Sequence, residues 1–370
     1  MNPQHNLKIV TFPRFIAGLG AVCWHFILNT NFIEKVEPFQ SWWLARAFTH
    51  CAPIGMAYFY ALSGFVLAAV YYRPGMAPLN FRQFFLMRMA RIYPIFFLAL
   101  VMYLALTWDR SIEDPLGIGL NLLLLQSWVS PYPLSLNYPA WTLSVEVFFY
   151  LVFPFFLLSF DRYSTRQLFV FTGVVWLISN LLQLYYTVRL HPAENTLAQD
   201  LLIFLPPINF NGFLVGMLGG ICIVRHGQPP SRFAGVNIAI VVLCTAAPIA
   251  MTLAFGRHVN VGATAPFLTL LMYTLVTQRS WLWDWMSNRH METLGQVSYA
   301  MCIFQVPLFL LFLKFATHRV RLSPTELFYL YFAALMALSY LVYFFYEAPL
   351  RDWARDKIKR PSKTQATVPA

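Results

Sequence analysis

The chain has 370 residues, 59% of them hydrophobic and only 11% charged, with a formal net charge of +11. That balance excludes a soluble globular domain and defines a helical membrane protein with several spans. The basic excess belongs to loops beside a membrane, so nucleic acid is excluded as a partner.

The first apolar run, 11–29, follows a weakly charged start and lacks a small-residue cleavage site, so it is expected to remain as span 1. It carries Arg14 and His25. Eleven residues at about 1.5 Å each separate them by roughly 16 Å along a helix, about half the hydrocarbon thickness. Ionisable groups are costly in a bilayer, so the pair reads as functional. The structural alternative is a snorkelling Arg14 anchor and a His25 bonded to a backbone carbonyl.

Nine further apolar runs follow, near 53–72, 92–108, 141–160, 168–188, 201–224, 234–254, 262–278, 294–315 and 325–346. Each is long enough to cross a bilayer when tilted. The run 116–129 is shorter and ends at Ser130-Pro131-Tyr132-Pro133, which predicts a re-entrant or interfacial segment. With about ten spans, 18 of the 26 Lys and Arg lie on the inner side and 8 outside. Counting 116–129 as a span would put the basic tail outside, so the positive-inside rule favours both termini in the cytoplasm. The expected organisation is an all-α transmembrane domain over 1–350 and a basic cytoplasmic tail over 351–370, disordered at its polar end. No internal repeat of the transporter kind is visible.

Depth orders the unusual residues. Span 1 runs outward, so Arg14 is expected near the cytoplasmic face and His25 about a turn below the outer one. Span 4 runs inward from Trp141, which places Glu146 at a similar outer depth. A histidine with a carboxylate partner suits general-base chemistry. Arg88 and Arg91, on one side of the helix leading into span 3, are expected at the level of Arg14. Three guanidinium groups there suit a phosphate-bearing ligand. Plain anchoring by Arg88 and Arg91, and a helix-locking ion pair through Glu146, are the structural alternatives. Trp141 at the outer mouth is either a platform for a sugar ring or an interfacial anchor.

Other motifs read as packing. Ser63-Gly64 permits close helix approach, and Gly212, Gly216 and Gly220 form a small-residue seam. Cys23, Cys51, Cys222, Cys244 and Cys302 lie in apolar runs without paired spacing and read as buried thiols. No His, Cys and carboxylate cluster has metal-ligand spacing, so no metal is expected.

Six segments in order resemble the acyltransferase 3 family: Arg14 with His25; Tyr58-Phe-Tyr-Ala-Leu-Ser-Gly-Phe65; Arg88-Met-Ala-Arg91-Ile-Tyr-Pro94; Trp141-Thr-Leu-Ser144-Val-Glu146 through Pro154; Leu294-Gly-Gln-Val-Ser298-Tyr299; and Glu347-Ala-Pro349-Leu-Arg351. The resemblance implies a membrane enzyme that O-acylates glycans from acyl-CoA, with no bound cofactor. It implies His25 as catalytic with Glu146 in the site, and Arg14, Arg88 and Arg91 as donor-handling groups. Where the family usually has a histidine, this chain has Gln305, which cannot titrate but can hydrogen-bond.

The combined expectation is transfer of an acyl group, acetyl above all, from cytosolic acyl-CoA to a hydroxyl of a cell-surface glycan or lipid-linked oligosaccharide. The setting is the inner membrane of a bacterium, surrounded by membrane lipid. A secondary transporter of a small anionic or sugar substrate would also need intramembrane His, Glu and Arg. A non-catalytic scaffold of a polysaccharide assembly is the third class.

Overall fold

The computed structural model describes residues 7–30, 36–43, 45, 48, 52–111, 114–190, 196–227, 234–255, 261–277, 281–319 and 322–359. Cys51 and the tail beyond Lys359 lie outside the described residues, as do several loop cations of the charge count. Among the described residues ten apolar helices follow in chain order: α1 (Phe12–Thr30), α2 (Ala52–Tyr71), α3 (Phe81–Ser111), α4 (Trp141–Asp161) and α5 (Thr165–Tyr185), then α6 (Pro206–His226), α7 (Ala234–Phe255), α8 (Ala265–Thr277), α9 (Arg289–Arg319) and α10 (Pro324–Val342). They coincide with the ten apolar runs. Among the described residues, eight stretches are long and apolar enough to cross a membrane, and the α7 and α8 regions supply two shorter apolar helices. The fold is an all-α polytopic membrane protein, the arrangement in which most backbone polar groups are satisfied inside their own segment.

The segment expected to be re-entrant or interfacial forms the helix Pro115–Leu122, a 3-10 turn at Gln126–Trp128 and a further turn at Tyr138–Ala140. Side chains tie it back onto α4: Gln126 Nε2 donates to the Ala140 carbonyl (3.0 Å) and Ser127 Oγ to that of Trp141 (2.9 Å). The tail departs from expectation. Ala348–Lys359 is a helix, so residues 351–359 are ordered. Its sequence places Trp353 and Ile358 among charges, a pattern suited to a boundary between protein and water.

The centre is built on α2 and α6, whose backbones nearly touch. A side chain at Gly64 would overlap the Phe213 carbonyl, one at Gly216 the Ala61 carbonyl, and one at Gly220 the Phe65 carbonyl. Only glycine permits that approach, so the small-residue seam read from the sequence is a packing device. At one end Arg225 caps the bundle. Its Nε donates to Tyr72 OH (2.8 Å) and a terminal nitrogen to the Phe160 carbonyl (2.9 Å), while Tyr72 donates to Asp161 (2.9 Å). α5, by contrast, is mostly exposed along its apolar length, as a helix facing lipid must be.

Candidate active site

A cavity of about 610 Å³ runs through the bundle. Its wall includes every residue singled out from the sequence: Arg14, Arg88 and Arg91, and also His25, Glu146 and Trp141. α1 and α9 line one side in parallel. Gly295 abuts Thr11, Gly18 faces Cys302 and Met301, and His25 reaches Gln305. Parallel register is what brings side chains 280 residues apart into contact.

The His25 end is tightly bonded. His25 Nδ1 lies 3.0 Å from Gln305 Oε1, and Gln305 Nε2 donates to the Cys302 carbonyl at 2.7 Å. Tyr331 OH donates to the Gln305 backbone carbonyl at 2.9 Å, and the Tyr138 ring stands edge-on to the imidazole at 4.9 Å. Pro307 explains how Tyr138 is drawn in. It has no N–H, so the Ile303 carbonyl four residues earlier lacks its helical donor. Asn137 Nδ2 supplies one at 3.0 Å, anchoring the residue before Tyr138 to α9.

Glu146 is not the partner of His25. Tyr138 marks the depth of the imidazole, and Glu146 lies two turns further along the chain from it. At about 1.5 Å per residue it is about 7.5 Å along the helix axis from the start of α4. There Ser63 Oγ donates to one carboxylate oxygen (3.0 Å) and Tyr150 OH to the other (3.3 Å). The expected pairing at equal depth fails because the turn before α4 lies level with His25, leaving Glu146 midway towards the arginines. Within electrostatic reach of Arg14 are Glu146, Glu347 and Arg91.

At the other end the arginines have few partners. Arg88 donates to Tyr71 OH at 2.8 Å and lies over the Tyr71 and Phe84 rings. Arg14 lies over the Phe59 ring at 6.0 Å, and its buried Nε has no hydrogen-bond partner among the described residues. Among the described residues no carboxylate comes within ion-pairing distance of Arg14, Arg88 or Arg91. Lys8, Arg351 and Arg355 extend the basic wall, Lys8 paired with Glu292 at 2.9 Å and Arg355 with Asp352 at 3.4 Å. Guanidinium groups gathered in a recess, with Glu146 and Glu347 near Arg14 but no carboxylate of the described residues in ion-pairing distance, are suited to receive an anion.

Trp141 lines the cavity but is only 6% exposed, packed edge-on against Phe204 at 4.9 Å, so it is no exposed interfacial anchor. Sequence reading missed the role of Ser63, taken for packing alone, and gave none to Arg351 and Arg355. Cys302, read as a buried thiol, lines the cavity.

Such a chamber, with a histidine and three guanidinium groups inside a membrane bundle, can hold an anionic ligand near a base. The chain belongs to the acyltransferase 3 family, whose acyltransferase domain matches residues 10–344. It is similar to Acyltransferase MdmB of Streptomyces mycarofaciens, 29% identical over a match that covers 44% of this chain and 42% of that protein. No solved structure gives a significant match.

Proposed function

We propose that the protein moves an acyl group, acetyl above all, from cytosolic acyl-CoA to a hydroxyl of an exported or cell-surface glycan or lipid-linked oligosaccharide. The setting is a bacterial inner membrane, with both termini in the cytoplasm. The observation that carries the reading is one cavity lined by His25, by Arg14 about 16 Å from it along α1, and by Arg88 and Arg91 of α3. Nucleotide phosphates would lie against the guanidinium groups, and the pantetheine arm would pass Glu146 and Ser63 to bring the thioester towards His25. His25 takes the proton of the acceptor hydroxyl as its oxygen attacks the thioester carbonyl. The carbon–sulfur bond breaks, the coenzyme thiolate leaves, and the imidazolium returns the proton to sulfur. The glycan acceptor rests on the family resemblance and would enter the cavity on the side that Trp141 lines.

The test is reconstituted protein with radiolabelled acetyl-CoA and an envelope glycan extract. The expected result is alkali-labile label in glycan and one free coenzyme thiol per label transferred. Counterflow of sugar without thiol release would instead establish a transporter. Topology is checked separately in a cysteine-free background. Leu134→Cys, exposed beside the outer turn, should react with an impermeant thiol reagent on intact cells, and Gln83→Cys only after permeabilisation. The reverse pattern would turn the arginines away from cytosolic acyl-CoA and end the proposal.

A further inference from the structure

We infer that Gln305 is a positioning residue that holds His25 in a single tautomer, with the proton on Nδ1 and the lone pair of Nε2 available to the acceptor hydroxyl. The inference rests on His25 being the base. The hydrogen-bond chain has one consistent direction. A backbone carbonyl only accepts, so the Cys302 oxygen must face the NH2 end of the Gln305 amide, 2.7 Å away. That turns Oε1 towards His25, and an amide oxygen also only accepts. The imidazole nitrogen 3.0 Å from it, Nδ1, therefore carries the hydrogen. Nε2 makes no hydrogen bond to the described residues, and His25 lines the cavity.

Gln305 is itself held. It is 2% exposed, Tyr331 OH grips its backbone carbonyl, and Tyr331 stacks on Phe26, the neighbour of His25, at 5.3 Å. A neutral amide does this without adding charge. The titratable groups around the imidazole are Tyr138 before α4, Cys302 on α9, Tyr331 on α10 and, deeper on α4, Glu146; Arg14 shares its helix. Among the described residues none of these hydrogen-bonds the ring, so the amide is the hydrogen-bond partner that selects its tautomer, with the Tyr138 ring packed edge-on beside it.

Three variants and two readouts test the assignment. In the wild type, ring-nitrogen NMR of isotope-labelled histidine, with the His25 signal assigned by its loss in His25→Ala, should show the Nδ1–H tautomer. In Gln305→Leu the tautomers should mix, and kcat for acetyl transfer should fall at least about tenfold with KM for acetyl-CoA unchanged. Gln305→Glu is nearly isosteric and guards against misfolding of the leucine variant. It should keep most of the activity, with the acidic limb of kcat moved up by about one pH unit, because a carboxylate favours the protonated ring. A wild-type Nε2–H tautomer overturns the inference. So does a Gln305→Leu variant with wild-type kcat and tautomer, or a Gln305→Glu variant with an unmoved pH profile, provided His25→Ala is inactive. If His25→Ala stays active, the base assignment falls first and this inference with it.

Discussion

At the His25 end of the cavity the polar groups are tied into one another: imidazole to amide, amide to carbonyl, and Asn137 to the carbonyl that Pro307 leaves without a donor. At the Arg14 end they are not. Among the described residues Arg14 and Arg91 meet no carboxylate within ion-pairing distance, and Arg88 has one tyrosine hydroxyl. Buried polar groups left without partners cost free energy unless something arrives to satisfy them. The difference therefore separates two tasks. A group that must react in one geometry is held rigid by its neighbours, and groups that must accept a charged ligand are left waiting for it.

The largest expected effect breaks the rigid end. His25→Ala should lower acyl transfer by about a hundredfold to ten-thousandfold, the usual cost of losing a general base. Expression and thermal stability should stay close to wild type, because α1 keeps its remaining contacts. An activity assay normalised to protein decides it, and wild-type turnover would remove His25 from the chemistry.

Next comes the open end. The double variant Arg88→Lys, Arg91→Lys keeps the charge and loses the fork that binds phosphate in two places. Coenzyme A affinity, measured by calorimetry in detergent, should fall by about tenfold or more. Dephospho-coenzyme A should also compete less well than the full coenzyme with the wild type. Unchanged affinity in the double variant would mean that these residues only anchor the helix.

Both ends depend on a frame that does not yield. Gly216→Val would force a side chain into the Ala61 backbone and should cost about 1–3 kcal/mol of stability, seen as a lower Tm. Gly173→Ala on α5 meets no atom within 4 Å and should leave Tm where it is. Equal effects at the two positions would contradict the seam. The smallest effect is expected at the rim. Arg355 is half-exposed and already shares Asp352, so Arg355→Ala should raise KM for acyl-CoA by less than about fivefold, and less still at high salt.

The parts legible in the sequence are those that follow from local composition. Among the described residues the ten apolar runs became helices, eight of them in stretches long enough to span, because a bilayer allows few ways to satisfy a backbone and run length measures one of them directly. The intramembrane Arg14 and His25 of the cavity wall were also legible. An Arg or His within an apolar run is costly, so its presence alone marks the site. The glycine seam was visible for a similar reason, since four-residue spacing puts small residues on one helical face.

Which residue touches which was decided only by the tertiary structure. Depth along a helix was computed from residue count, and that arithmetic put Glu146 beside His25. The turn before α4 lies at the level of the imidazole, and the carboxylate fell midway, bonded to Ser63 and Tyr150. Gln305 took the place expected of Glu146 through a contact across 280 residues, created by the parallel register of α1 and α9. The order of Ala348–Lys359 was hidden likewise, because its charges read as a loose tail until a wall of the cavity was seen to need them. Composition and periodicity determine what each segment is, since those are properties of neighbours in the chain. Partner identity depends on how helices are laid against one another, and a single sequence carries no local signal for that.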